Sequence, residues 1–232
     1  PDVREYLITI YKNAVSEWGI DGLKLDFINN MQLTEHSSLP NENMDFESLE
    51  DAICELLSEI KKVLSSINSD IMIEFRQPYV GPIMRKYGNM FRVADCPMDA
   101  LKNRVGIVDL KMTSGNTAVH SDMLMWNYDD TPESAALQMI NIIFGVPQIS
   151  VLIEKLSDEH KKVLKFYLSF WNENSECLVN GKLFAQNPEA GYSFVSSETE
   201  TTIIAASYIK NLLKIEKKYK KIIFINGSWD EK

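Results

Sequence analysis

The sequence predicts an α/β fold in which a parallel sheet or barrel precedes a smaller β-rich region. Short apolar segments alternate with helical segments from residue 20 to residue 172, and polar or Pro/Gly-containing loops separate them. After residue 175 the pattern changes to short strands with turns between them. With 45% hydrophobic residues, a chain of 232 residues can bury a substantial core.

The first predicted elements are a helix and a strand. Apolar residues recur at three- and four-residue steps from Val3 to Trp18, which indicates a helix, and Gly19 suits its end. Pro1 fits the first turn of this helix. The next segment, 20–27, is predicted as a strand because apolar residues alternate with charged ones along it.

The later elements follow in the same alternation. A helix at 46–64 has an apolar face at helical spacing, and Pro132 and Ser157 are residues typical of helix N-termini. Short β-rich runs bounded by loops predict the strands. The further elements are, in order, strands at 71–75 and 91–95, a helix at 98–112, a strand at 117–121, a helix at 132–144, a strand at 148–153 and a helix at 157–172.

Two domains are predicted, covering residues 1–174 and 175–232. The first contains the β/α alternation, with five parallel strands. The second has turn signals at Asn180-Gly181 and Asn187-Pro188 between short strands, so we expect an antiparallel β-domain there.

Composition limits the classes of partner and the location. A net charge of -9 argues against nucleic acid or an anionic membrane surface, both of which require clustered basic residues. No apolar run approaches the roughly 18 residues of a membrane span. The three cysteines form no CxxC pair, so neither a disulfide framework nor a structural zinc site is supported, and no signal-peptide pattern is present. We expect a cytoplasmic protein with a neutral or uncharged polar ligand.

The stretch "DGLKLDF" places charge within an apolar strand. Lys24 and Asp26 are two residues apart, so both point to the same side near the carboxyl end of the strand. In a β/α barrel this end is the reactive face. A lysine favours the ionised form of a neighbouring carboxylate, which suits a nucleophile or an electrostatic stabiliser. The alternative is a structural ion pair, and spacing does not choose between the two.

Further carboxylates stand near the ends of other predicted strands. Glu74, Asp95 and Asp122 are the candidates, and Asp95 closes "FRVAD" just before Cys96 and Pro97 stop the strand. Two carboxylates on opposite sides of a sugar are the minimum equipment for cleaving a glycosidic bond. The alternative role for Asp95 is to cap the next helix.

Other candidates surround the strand predicted at 117–121. His120 and Asp122 share a face of this strand, which suits a polar contact to substrate, a core histidine or one pair of metal ligands. With three histidines in the chain and no HxH or HExxH spacing, a metal is the weakest of these interpretations. Trp126 is a candidate platform for a sugar ring, and barrel-rim packing is the alternative.

At these residues the chain resembles the melibiase-type α-galactosidases of glycoside hydrolase family 36. "GIDGLKLDF" looks like the fourth barrel strand of that family, where Lys-x-Asp carries the nucleophile, and "RVADCPMDALKNR" is similar to the strand-six segment with the acid/base aspartate. One long segment of this chain, "ISVLIEKLSDEHKKVLKFYLSFWNENSECLVNGKLF", resembles the family's last barrel strand, its last barrel helix and the entry into its β-domain.

This resemblance implies a retaining mechanism. Asp26 would be the nucleophile, Asp95 the general acid/base and Lys24 a contact to the sugar hydroxyls, with an oligosaccharide as substrate and no metal or organic cofactor. The family's usual Cys-Ser and Gly-rich segment on strand five is replaced by "EFRQPYVGP". Glu74 and Arg76, which share a strand face there, are therefore expected to contact the substrate differently.

The resemblance also implies a partial (β/α)8 barrel that contains strands four to eight, followed by a truncated β-domain. Such a barrel needs about 250 residues, so strands one to three would precede Pro1. We expect the isolated chain to be inactive and to self-associate through the sheet edges that a partial barrel leaves open. The oligomeric state of the full-length enzyme stays open, a homo-oligomer included.

The predicted function is the retaining hydrolysis of terminal α-galactosides of oligosaccharides. Two alternatives are a catalytically silent carbohydrate-binding barrel and an α-glycosidase with a different glycone. A third is a metal-dependent barrel hydrolase, which would require His120 and Asp122 to converge with other ligands. The pair Asp26 and Asp95 favours the enzyme, because a binding module has no need of both carboxylates.

Overall fold

The computed structural model describes residues 1–34, 43–115, 117–210, 212, 214, 215 and 217–228. Strands and helices alternate through the first three quarters of the chain, and a second group of strands follows. The α-helices are α1 (Asp2–Ser16), α2 (Leu49–Ile67), α3 (Ala100–Ser114), α4 (Pro132–Asn141) and α5 (Asp158–Ser175). The strands are β1 (Gly22–Lys24), β2 (Met72–Arg76), β3 (Met90–Arg92), β4 (Ala118–His120), β5 (Lys182–Gln186), β6 (Phe194–Glu198), β7 (Thr202–Ser207) and β8 (Lys221–Asn226).

The strands form two separate sheets, which confirms the predicted mixed α/β class. The first is a four-stranded parallel sheet in the order β1-β2-β3-β4, and the second has the order β5-β6-β7-β8. By its internal contacts the chain divides into two compact units, Pro1–Phe91 and Arg92–Lys232, with the boundary inside β3. The predicted domain boundary between residues 174 and 175 stays a prediction.

The first unit is built on the parallel pair β1 and β2. Gly22 pairs with Met72 and Lys24 pairs with Glu74 in register. A Cβ at Gly22 would lie 2.8 Å from the carbonyl oxygen of Met72, so the strands can approach this closely only with glycine here. The side chains of Ile73 and Phe75 on β2 are fully buried and form part of the core.

Helix α2 covers part of this core with one apolar face. Its start is set by Ser48, whose hydroxyl accepts a hydrogen bond from the backbone N–H of Asp51 at 3.0 Å. Leu56, Leu57, Ile60 and Leu64 recur at helical spacing and are buried. The sequence pattern had predicted this face, although the observed helix begins three residues later than expected, after its cap.

In the second unit, hydroxyl and carboxyl caps set the starts of the helices. Asp99 accepts from the N–H of Lys102 and begins α3, Thr131 precedes Pro132 in α4, and Ser157 accepts from the N–H of His160 in α5. The predicted N-cap at Ser157 is therefore confirmed. None of the described helices combines the length and the hydrophobicity that a membrane crossing requires.

The strand predicted at 148–153 is not formed, so the first sheet has four strands where five were expected. The backbone from Val146 to Ser150 still runs parallel to the β4 segment, through isolated bridges of His120 with Val146 and Leu124 with Ile149. Between the two bridges the Gln148 N–H donates to the Ser121 hydroxyl at 2.9 Å and not to a backbone carbonyl, so the ladder is interrupted. We call residues 146–150 the bridged segment.

Strands β1 and β3 are shorter than predicted, and in the loop after each of them a carboxylate accepts a backbone N–H. The N–H of Phe27 donates to Asp26 Oδ1 at 2.8 Å, and the N–H of Cys96 donates to Asp122 Oδ2 at 2.6 Å. These N–H groups are thereby removed from the strand ladder. Asp26 and Asp95 consequently lie beyond the last residues of β1 and β3, in the loops that follow.

The second sheet is mainly antiparallel, with one departure from the prediction. β5 pairs with β6 and β6 with β7 in antiparallel register, whereas β8 is parallel to β7. A parallel neighbour needs a connection of about a dozen residues or more, and the segment between Ser207 and Lys221 is long enough. This crossover was not predicted, because the segment between the two strands lacks a helical pattern.

Candidate active site

Asp26 lies in the turn that ends β1. The N–H of Leu25 still bonds to the carbonyl of Glu74 on β2 at 3.0 Å, and Phe27 then adopts the left-handed conformation with φ of 57°. Non-glycine residues rarely adopt this conformation, and such residues cluster at functional sites. The turn leaves the Asp26 side chain 26% exposed at the carboxyl end of the strand.

The Asp26 carboxylate is surrounded by hydrogen-bond donors. Oδ1 accepts from Arg76 Nε at 2.8 Å, from the Tyr79 hydroxyl at 2.7 Å and from the Phe27 N–H at 2.8 Å. Oδ2 lies 3.1 Å from the Lys24 ammonium. The structure therefore brings together three of the residues predicted from sequence, Lys24, Asp26 and Arg76, in one cluster that we call the Asp26 cluster.

The cluster stabilises the ionised form of Asp26. Burial on its own would raise the pKa of this carboxyl, but the hydrogen bonds from Tyr79, Lys24, Arg76 and the Phe27 N–H lower the pKa far below its usual range. Conversely, burial and the hydrogen bond to Asp26 raise the pKa of Tyr79 to about 12, so its hydroxyl remains a donor at neutral pH. Asp26 is thus ionised at neutral pH.

Arg76 is held from three sides. Its guanidinium carbon lies 5.5 Å from the centre of the Phe27 ring and 5.8 Å from that of the Tyr79 ring. Its Nη1 donates to the carbonyl of Gln77 at 3.2 Å. The side chain is 13% exposed, so most of it is removed from solvent. Arg76 therefore has little freedom to move away from Asp26.

Glu74 stands beside this cluster on β2. It is the register partner of Lys24, and it is buried. Successive residues of a strand alternate faces, so Glu74 and Arg76 share one face of β2, as the sequence predicted.

The second unit contains a second charged group, centred on Arg92. Its Nη2 donates to Asp95 Oδ1 at 2.7 Å, and its Nη1 donates to Asp122 Oδ1. Asp95 is 64% exposed, whereas Asp122 is 1% exposed. We call Arg92, Asp95 and Asp122 the Arg92 cluster. It holds two of the predicted site residues, one open to solvent and one deeply buried.

Asp122 is anchored in this cluster by its backbone as well as its carboxylate. Its N–H donates to Asn103 Oδ1 at 2.9 Å, and its Oδ2 accepts from the N–H of Cys96. A buried charge that is paired and hydrogen-bonded in this way is well compensated. Asp122 therefore orients Arg92, and Arg92 in turn holds the exposed carboxylate of Asp95.

His120 and Trp126 have partners outside both clusters. His120 Nδ1 lies 3.4 Å from Gln148 Nε2, and burial lowers the pKa of this histidine. Trp126 is buried and stacks on His160, with ring centres 6.2 Å apart. The role of both residues in substrate binding stays a prediction. Within the part of the chain that the structure describes, no group of three or more His, Cys, Asp or Glu side chains is placed to hold a metal ion.

Sequence reasoning missed Tyr79, Phe27 and Arg92 as site residues. Tyr79 lies in the loop after β2, and a position after a parallel strand was the signal that could have found it. Arg92 lies within β3, where a charged residue in an apolar strand is the same signal that drew attention to Lys24. Nothing in the sequence indicates the left-handed conformation of Phe27, because no glycine or asparagine occurs there.

The fold is similar to that of several solved glycoside hydrolases. A GH36 alpha-galactosidase from Geobacillus stearothermophilus matches 84% of this chain with a TM-score of 0.67 at 17% identity, and a variant of that enzyme in complex with raffinose matches 84% with a TM-score of 0.65 at 18% identity. A cyclomaltodextrinase matches 86% of the chain with a TM-score of 0.55 at 14% identity. The sequence matches no family model, and no curated protein matches it.

The likeness covers only part of each of these solved structures. The chain spans 27% of the length of the alpha-galactosidase and 39% of the length of the cyclomaltodextrinase. At such low identities the likeness establishes the fold alone, since one fold serves many activities.

Proposed function

We propose that this chain carries part of the catalytic barrel of a retaining α-glycosidase. In this proposal β1 to β4 are strands four to seven of a (β/α)8 barrel, and the bridged segment takes the place of strand eight. The glycoside hydrolase fold supports it, as does the order of parallel strands joined mostly by helices. The second sheet would belong to the β-domain that follows the barrel.

The observation that carries the proposal is the Asp26 cluster. A carboxylate at the carboxyl end of a parallel strand stands where barrel enzymes place their reactive groups. Four donors keep it ionised, and an ionised carboxylate is what a glycosidase nucleophile must be. A carbohydrate-binding module would not need a permanent charge at this position.

Asp95 is the proposed general acid/base. Its carboxylate is the most exposed group of the Arg92 cluster, so it is accessible to a leaving-group oxygen and to water. Arg92 Nη2 holds this carboxylate in place, while Nη1 of the same guanidinium pairs with the buried Asp122. In the complete barrel we expect the Asp26 and Asp95 carboxyl groups about 5 Å apart, the spacing of retaining enzymes.

An oligosaccharide with a terminal α-linked sugar is the proposed substrate. Raffinose is the ligand of one solved alpha-galactosidase of the same fold, which favours an α-galactoside. The likeness to a cyclomaltodextrinase favours a second candidate, a maltodextrin-type α-glucoside. Comparison of kcat/KM for aryl α-galactoside and aryl α-glucoside in the full-length protein separates the two.

The nucleophile is tested by Asp26→Ala in the full-length protein. We expect turnover to be lost and partly restored by azide, which can attack the anomeric carbon in the space left by the carboxylate. Asp21→Ala, which removes an exposed aspartate just before β1, is the matched control and should keep full activity. Unchanged activity of Asp26→Ala would reject the proposed mechanism.

A further inference from the structure

The two oxygens of the Asp26 carboxylate are not equivalent. Oδ1 accepts hydrogen bonds from Arg76, Tyr79 and the N–H of Phe27, all within 2.8 Å. Oδ2 faces only the Lys24 ammonium among the described residues, at 3.1 Å. Each oxygen of a carboxylate has about two lone-pair sites, so Oδ1 is saturated while Oδ2 has acceptor capacity left.

Tyr79 is fixed in the position from which it donates. Its hydroxyl is 2.7 Å from Asp26 Oδ1 and 3.2 Å from the carbonyl of Leu25, and the shorter bond takes its single proton. Its ring lies against the Arg76 guanidinium, which itself bonds to the same oxygen. The last residue of β2 and the loop after it therefore contribute one donor each, and the two converge on one atom.

We infer that Tyr79 is a positioning residue, which together with Arg76 holds Oδ1 of Asp26 so that Oδ2 is the oxygen that attacks the sugar. This inference rests on the proposed function. In this arrangement Arg76 and Tyr79 bind the nucleophile, whereas the sequence had suggested that Arg76 contacts the sugar. The Lys24 ammonium, beside Oδ2, is then the group of the cluster nearest the substrate.

With Oδ2 as the attacking oxygen, hydrolysis takes place in two chemical steps. In the first, Oδ2 forms a bond to the anomeric carbon, the glycosidic C–O bond breaks, and the leaving oxygen takes a proton from Asp95. In the second, water bonds to the anomeric carbon and gives a proton to Asp95, while the bond to Oδ2 breaks and its electron pair returns to Asp26. The carboxylate loses charge in the first step and regains it in the second.

Donors to Oδ1 therefore favour the second step. They stabilise the carboxylate as it leaves, and they do not assist the first step, in which its charge is consumed. Hydrogen bonds to charged groups are among the stronger ones in proteins, so the loss of one donor should have a measurable effect.

The experiment compares Tyr79→Phe with the wild type in the full-length protein, using an activated aryl glycoside. We expect kcat to fall by about tenfold to a hundredfold, with a fall in KM as the glycosyl-enzyme accumulates, so that kcat/KM changes much less. The acidic limb of kcat/KM should move up by roughly one pH unit, because Asp26 then has one donor fewer. Tyr6→Phe, at an exposed tyrosine of α1, is the matched control and should change none of these.

Equal losses in kcat and kcat/KM with an unmoved acidic limb would overturn the inference, since that pattern fits lost sugar binding. A wild type that hydrolyses no aryl α-glycoside would reject the proposed function itself, and with it the choice of attacking oxygen. The contact from Tyr79 is then tested without turnover, by a ¹³C NMR titration of aspartate carboxyls in which the Asp26 signal is identified by its loss in Asp26→Asn. A titration of Asp26 that is the same in Tyr79→Phe and wild type would contradict the role of Tyr79.

Discussion

The Asp26 carboxylate is surrounded by four donors, and the sequence had predicted one of them, Lys24. A lysine two positions earlier on the same strand face predicted an ionised carboxylate at the end of a strand. The structure adds Arg76 and Tyr79, which lie 50 and 53 residues further along the chain. Spacing along one strand can indicate a local pair, but partners brought by a different strand depend on pairing that a single sequence does not display.

Asp95 can be tested as an acid by changing the leaving group. In Asp95→Ala of the full-length protein we expect hydrolysis of substrates with a sugar leaving group to fall by about 100-fold or more, because that oxygen needs a proton. Aryl glycosides with acidic phenols should lose far less in the first step. The ratio of kcat/KM for the two substrates, measured in parallel with Asp129→Ala at an exposed loop position, gives the result. Equal losses of kcat/KM on both substrates would show that Asp95 is not the general acid.

At the scale of elements, the order of strands and helices could be predicted from the sequence, and the ends could not. Alternating apolar segments and residues that suit helix starts, such as Ser157, gave the correct order. Two strands were overestimated because pairing ends at the N–H groups of Leu25 and Val93, after which the N–H groups of Phe27 and Cys96 bind carboxylates. The strand predicted at 148–153 was wrong, because the Gln148 N–H binds the Ser121 hydroxyl and not a strand carbonyl, a contact that the apolar run does not reveal.

Helix α3 is tied to two other parts of its unit by a buried lysine. The Lys111 ammonium donates to the carbonyls of Phe144, Leu178 and Val179 at 3.0, 2.5 and 3.2 Å, and burial lowers the pKa of Lys111 to about 8. These carbonyls belong to the segment after α4 and to the π-helical turn Glu176–Asn180. The contact thus links three elements through one side chain.

Replacing Lys111 should destabilise the fold, although the substitution also removes a charge that is costly to bury. In Lys111→Met we expect the free energy of unfolding to fall by about 2–4 kcal/mol, because buried carbonyls lose their donor while the apolar stem is kept. Lys102→Met, at an exposed lysine of the same helix, should change it by less than about 0.5 kcal/mol. Denaturant titration of both variants gives the comparison, and a Lys111→Met variant as stable as the wild type would show that water replaces the ammonium.

For the whole molecule, the class of fold followed from composition and alternation, whereas the details of the second sheet did not. The turn signal at Asn187-Pro188 correctly indicated strands on either side, β5 and β6, whereas the signal at Asn180-Gly181 was wrong, because a π-helical turn and not a strand precedes Gly181. They could not indicate that β8 lies parallel to β7, because a long polar connection is compatible with several strand orders.

Alkaline pH should weaken the fold as a whole. Burial, with a hydrogen bond to Asp26 or Asp109, raises the pKa values of Tyr79 and Tyr192 from 10.0 to about 12. A folded pKa above the unfolded one means stability that is fully present below about pH 10 and is lost as the pH rises towards 12. Lys111, with a lowered pKa, acts in the opposite direction between about pH 8 and 10.5.

The free energy of unfolding, measured by denaturant titration from pH 8 to 12, should therefore decline steeply only above about pH 10. Tyr192→Phe should make this decline shallower, whereas Tyr128→Phe, at an exposed position, should leave it unchanged. A decline of the same steepness in Tyr192→Phe and wild type would contradict the assigned cause.

Because Asp26 and two of its donors are far apart along the chain, the pKa of this carboxyl reports whether the long-range contacts of the fold have formed. A helix can form within its own segment, but the contact between Asp26 and Arg76 requires closure of a loop of 50 residues and the pairing of β1 with β2. In early folding species that already have native helices, the pKa of Asp26 would therefore still lie in its usual range. The hydrogen-bonded, ionised form of Asp26 therefore arrives late, with the long-range pairing, and cannot be inferred from the recovery of helical signal during refolding.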